Sequence, residues 1–106
     1  MGVAVSSWRL ARAVSQTGQL GVVSGTALDT VVARRLQDGD IGGHIRRALE
    51  QFPVLPMAQR VLRRYFRPAG RAQGQPYVLA PHLSLHPRPA ALELSIVANF
   101  AEVWLA

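Results

Sequence analysis

Leu10, Ala11 and Val14 fall on one side of a helical wheel drawn through 8–17, with Ser6 and Ser7 before the stretch as capping residues and Gly18 after it. That spacing predicts a first helix over 8–17. The run Leu20-Gly21-Val22-Val23-Ser24 is short, apolar and bounded by Gly18 and Gly25, the size and composition of a buried parallel strand. Thr26 then stands as a cap, Leu28, Val31, Val32 and Leu36 repeat with the helical period, and Gly39 lies beyond the end, which predicts a second helix over 27–37. Helix, strand and helix in that order open an α/β unit.

Past Asp38-Gly39-Asp40 the apolar stripe is Ile41, Ile45, Ala48, Leu49 and Phe52, closed by Pro53. Pro56 begins another helix, whose face of Met57, Ala58, Val61, Leu62, Tyr65 and Phe66 opposes Arg60, Arg63, Arg64 and Arg67. These two helices read as a hairpin. Proline and glycine punctuate the chain from Arg67 to Pro89, as in a loop. Leu92, Leu94, Ile96 and Ala98 alternate with Glu93, Ser95, Val97 and Asn99, which reads as a strand, and 101–106 begins a helix. The organisation is a helix-strand-helix region at 1–40, a helical hairpin inserted at 41–67, a Pro-rich loop at 68–90, and a strand with the start of a helix at 91–106. Two strands do not make a covered parallel sheet, so the pattern asks for neighbouring strands supplied from elsewhere.

Composition changes this picture little. Of the 106 residues 49% are hydrophobic and 17% charged, enough apolar mass to form a core. Cysteine is absent, which removes disulfides, thiolate metal ligands and thiol nucleophiles. No apolar run reaches the ~18 to 20 residues of a membrane span. The amphipathic start, free of acidic residues before Asp29, has some features of a mitochondrial transit peptide, and Met1-Gly2-Val3-Ala4-Val5-Ser6 fits the short myristoylation pattern. Neither displaces a cytoplasmic expectation. Charge says more: twelve basic residues, all arginine, oppose six acidic ones for a net charge of +6. Such an excess attracts polyanions, although GC-rich coding alone also favours arginine over lysine.

Met1-Gly2-Val3-Ala4-Val5-Ser6, the helix carrying Ala11-Arg12-Ala13-Val14-Ser15-Gln16-Thr17-Gly18, and Leu20-Gly21-Val22-Val23-Ser24-Gly25-Thr26 together resemble the N-terminal region of the nitronate monooxygenase family, formerly 2-nitropropane dioxygenases. The runs 28–40 and 94–105 are similar to a subgroup with a long insertion after the second strand. The resemblance implies an FMN-dependent oxidoreductase that oxidises alkyl nitronates with O₂. It implies an α/β fold, the N-terminal fragment of a (β/α)8 TIM-type barrel with a helical insertion, missing the first strand and the C-terminal two-thirds. By the same resemblance Met1, Gly2, Val3 and Asn99 would approach the flavin, with Ser24 and Gly25 on the same rim. The catalytic base would lie outside this chain, and the fragment alone would be inactive, its partner a complementary piece or a second copy. Read without the resemblance, Met1 and Gly2 are a chain start, and Ser24 and Asn99 are helix caps.

Other constellations are sparser. His82 and His86 have a metal-pair spacing, but Pro81, Pro87 and Pro89 break any helix there and no third ligand is evident, so no metal site is assigned. Arg60, Arg63, Arg64, Arg67 and Arg71 lie beside Tyr65 and Phe66, a set that could grip phosphates and stack on bases. The same stripe also reads as the solvated face of an amphipathic helix. The alternative function is therefore a small basic module that binds nucleic acid or an acidic protein partner.

Overall fold

A computed structural model describes residues 4–79 and 85–106 and contains five helices: α1 Trp8–Ser15, α2 Leu28–Gln37, α3 His44–Leu49, α4 Leu55–Tyr65 and α5 Pro89–Leu105. Among the described residues there is no strand. The architecture is helix on helix, and the expected α/β barrel fragment is overturned.

Both strand assignments fail for identifiable reasons. The stretch 90–106 contains neither glycine nor proline, so its apolar residues satisfy a strand template and a helix template at once, and length decides between them. Pro89 occupies the first turn, where its missing N–H is harmless. Leu94, Val97, Ala98, Ala101, Glu102 and Leu105 are the buried positions of α5, which is the three-and-four spacing of a helix. The run 20–24 forms no strand and has no ladder partner among the described residues. The backbone N–H of Ser24 donates to the Ser6 carbonyl at 2.8 Å, and the Ser6 hydroxyl donates to the Val22 carbonyl at 2.6 Å. Leu20 is 86% exposed, so the run does not lie in a covered sheet. Gly21 presses on α1 so closely that an added Cβ would stand 2.0 Å from the Ala11 carbonyl oxygen.

α5 is the axis of the fold and packs against all four other helices, while α2 also meets α4. The core is one cluster of Trp8, Leu28, Val32, Leu36, Ile45, Leu49, Phe52, Val61, Tyr65, Leu94, Val97 and Leu105, with alanines where helices approach closely. Phe52 meets Phe100 edge to face at 5.1 Å. The turn after α2 crosses the turn after α4: Arg67 donates its N–H to the Leu36 carbonyl at 3.1 Å, and Gly39 with φ +97° stands against Gly70. Gln37, buried at the end of α2, binds both backbone groups of Val78, accepting at 2.6 Å and donating at 3.1 Å. Tyr77 donates to the Asp38 carboxylate at 2.9 Å. These contacts hold the loop after α4 against α2.

Candidate functional site

Among the described residues four acidic side chains are held in ion pairs, and the two that are buried, Asp40 and Glu102, both serve helix N-termini. α1 begins at Trp8 with Ser7 at its cap position, yet neither Ser6 nor Ser7 caps it with a side chain. The carboxylate of Glu102, fully buried on α5, accepts the Trp8 N–H at 2.9 Å and is paired with Arg35 from α2. One side chain thus ties three helices together and places negative charge at a helix N-terminus. α3 is served similarly: Asp40, buried in the turn before it, accepts the N–H groups of Ile45 and Arg46 at 3.0 and 2.9 Å and the Arg46 side chain at 3.1 Å. Asp40 adopts φ 47°, a left-handed conformation that aspartate tolerates better than most residues.

The two capped helix ends meet at His44, the first residue of α3. Its half-buried ring lies 4.8 Å from the ring of Trp8, whose other neighbour is the Arg9 guanidinium at 4.9 Å. His44 lines two hollows. One, of about 190 Å³, is lined by Trp8, Arg9, Arg35, Asp40, Ile41 and His44 among others. The second is wider and more open, about 600 Å³, and is lined by Arg12, His44, Arg47, Trp104, Leu105 and Ala106. Arg9 and Arg12 are three residues apart on α1 and so share a face, while Arg47 comes from α3 and Trp104 from α5.

Electrostatically this end of the molecule is unbalanced. Burial, and then the positive charges of Arg47 and Arg9, lower the His44 pKa below its ordinary value; Asp40 opposes this and Arg12 adds to it. Among the described residues Arg9, Arg12 and Arg47 have no carboxylate partner, because Glu102 is committed to Arg35 and Asp40 to Arg46. His44 Nδ1 is buried with no hydrogen-bond partner, a rarity among buried polar atoms.

The arginine stripe on α4 is differently employed. Arg60 makes a two-pronged pair with Glu93 at 3.0 and 2.6 Å, and Arg71 pairs with Asp38 at 3.5 Å while lying 4.0 Å over the Tyr77 ring. Arg64 donates to the Tyr65 hydroxyl at 3.4 Å and Arg67 to the Phe66 carbonyl at 3.1 Å. Tyr65 is buried in the core, and Phe66 is half-buried beneath the Arg46 guanidinium at 4.7 Å. Neither ring is offered to a base.

Compared with protein families, curated proteins and solved structures, the chain matches none of them.

Of the residues tied to flavin by resemblance, Met1, Gly2 and Val3 lie outside the described residues. Asn99 is exposed on α5, where its amide donates to the Ser95 carbonyl at 2.8 Å. Gly25 stands beside it, since a Cβ there would be 3.8 Å from Asn99 Oδ1, and Ser24 is buried nearby in the chain. The resemblance places Ser24, Gly25 and Asn99 at the ends of barrel strands; the described residues contain no strand and form no such rim, so no flavin step is derived from them. His82 also lies outside the described residues, and among those described no three His, Asp or Glu side chains gather as metal ligands. No described helix is long and apolar enough to cross a membrane. The cluster at His44 was not singled out in the sequence. Its local signals were Arg9 and Arg12 on one helical face and Arg47 three residues past His44, but only the tertiary fold brings Trp104 to them.

Proposed function

We propose that this chain is a small helical binding module for single-stranded nucleic acid, engaged at the His44 end of the bundle. The observation that carries the reading is the convergence of Arg9, Arg12 and Arg47 on His44 with both nearby buried carboxylates already committed to other groups. Guanidinium groups without partners grip phosphate oxygens, often two at a time. Trp104, 44% exposed at the edge of the wider hollow, supplies a flat aromatic surface beside two of those cations, the combination on which successive bases stack without sequence preference. An acidic protein would use the cations but would have less use for an exposed indole.

The test is a titration of short single-stranded DNA and RNA monitored by Trp fluorescence across a range of salt. The expected result is binding that weakens log-linearly with salt, with a slope of ~0.7 per phosphate contact. No binding at low salt overturns the reading.

A further inference from the structure

Resting on that reading, we infer that the wider hollow takes the phosphorylated end of a nucleotide, a terminal phosphate monoester seated between Arg12 and Arg47 against His44, with its base on Trp104. Size is the first argument. At about 600 Å³ the space lined by Arg12, His44, Arg47 and Trp104 falls within the size range of small-molecule sites.

Charge is the second argument. A phosphodiester carries one negative charge, while a monoester carries −1.5 to −2 near neutrality with three acceptor oxygens. The two guanidinium groups of Arg12 and Arg47 in the hollow, neither paired with a described carboxylate, match the doubly charged group better. The two nearest buried carboxylates are engaged elsewhere: Glu102 holds Trp8 and Arg35, and Asp40 holds Arg46 and the N–H groups of α3. The third argument is His44 itself, whose buried Nδ1 lacks a partner and whose ring borders the hollow on one side and Trp8 on the other. A dianion placed there favours the imidazolium form that burial and the surrounding arginines disfavour, so seating the phosphate favours proton uptake by His44.

The experiment compares short oligothymidylates bearing a 5′-phosphate, a 3′-phosphate or only hydroxyl ends, with free thymidine monophosphate as a further arm, all titrated into the full chain at fixed salt. The expected result is an affinity about tenfold higher for a phosphorylated end than for hydroxyl ends, the difference one charge-assisted contact makes. Thymidine monophosphate binding as tightly as the phosphorylated strand assigns the hollow to free nucleotides and supports the same chemistry. Arg12→Gln with Arg47→Gln, checked for unchanged helicity and Tm, is expected to abolish the preference while leaving residual strand binding. Equal affinity for all three strand ends overturns the inference and leaves strand binding standing. A preference that survives in the double variant overturns the placement, and failure of every strand to bind overturns strand binding itself.

Discussion

Arginines crowd two regions of this molecule, and the two are put to opposite use. Along α4 and the turn beyond it, Arg60 and Arg71 are matched by Glu93 and Asp38, Arg64 and Arg67 are turned onto their neighbours, and the aromatics between them are core. At the His44 end the arginines come from two helices, face hollows, and leave the buried carboxylates to other partners. Density of positive charge in the sequence is therefore a poor guide to where an anion would bind. What distinguishes the regions is whether the cations converge from different elements on a space where no described carboxylate pairs with them.

The largest effect that sharpens this comparison lies beneath the His44 end. Glu102→Ala leaves the Trp8 N–H and Arg35 without their buried acceptor, and breaking a buried pair in this way costs about 3 to 5 kcal/mol. Thermal unfolding should show Tm lowered by at least about 10 °C for a domain of this size. A fall of only a degree or two would mean that Glu102 is not what holds α1 against α5. Next in size is the affinity difference between the regions. Arg12→Gln with Arg47→Gln should weaken binding of a single-stranded oligonucleotide about thirtyfold and reduce its salt slope by ~1.4, the equivalent of two phosphate contacts. Arg63→Gln with Arg64→Gln removes as much charge and should cost about twofold with little change of slope. Equal losses in the two double variants would erase the distinction.

Much of the helical content was legible because its signals are local. The period of Leu28, Val32 and Leu36 in α2, the proline opening α4 and Gly39 past the end of α2 all act within a turn or two of where they stand. What misled was the class of element wherever the apolar run was continuous. The pattern at 90–106 fits two periods, and only the packing of α5 against four helices selects one. Capping shows the same limit: Ser6 and Ser7 are the residues a reader of sequence would choose for α1, yet Glu102, from the other end of the chain, accepts its first N–H. The candidate site is tertiary in the same sense, since its cations, histidine and indole are neighbours only after α1, α3 and α5 have packed.

A smaller effect tests whether burial and the unmatched arginines together act on His44. Its pKa is lowered in the folded chain, so between that lowered value and the unfolded value near 6.5 the unfolded chain binds more protons. Stability contributed by His44 is complete above 6.5, declines as pH falls through that window, and is fully lost below the folded pKa. Tm followed from pH 7.5 downward should therefore fall more steeply in the unaltered chain than in His44→Gln. Both proteins retain His82 and His86, so the difference isolates His44. Identical profiles would mean that neither burial nor the arginines of α1 and α3 hold the ring's pKa down.

The smallest expected effect is the most discriminating for the comparison itself. The Arg60 hydrogen bonds hold the Glu93 carboxyl below its usual range, but the pair lies at the surface, where such bridges contribute little. Glu93→Gln should leave Tm unchanged within error at neutral pH. It also frees Arg60, so that α4 then presents Arg60, Arg63 and Arg64 without a carboxylate, as many unmatched arginines as surround His44. If charge alone made a binding site, this variant would acquire one, and its oligonucleotide affinity would rise severalfold. Because these arginines line neither of the two hollows at the His44 end and their neighbouring aromatic, Tyr65, is buried, the expected gain is below about twofold, the general effect of one added positive charge on a polyanion.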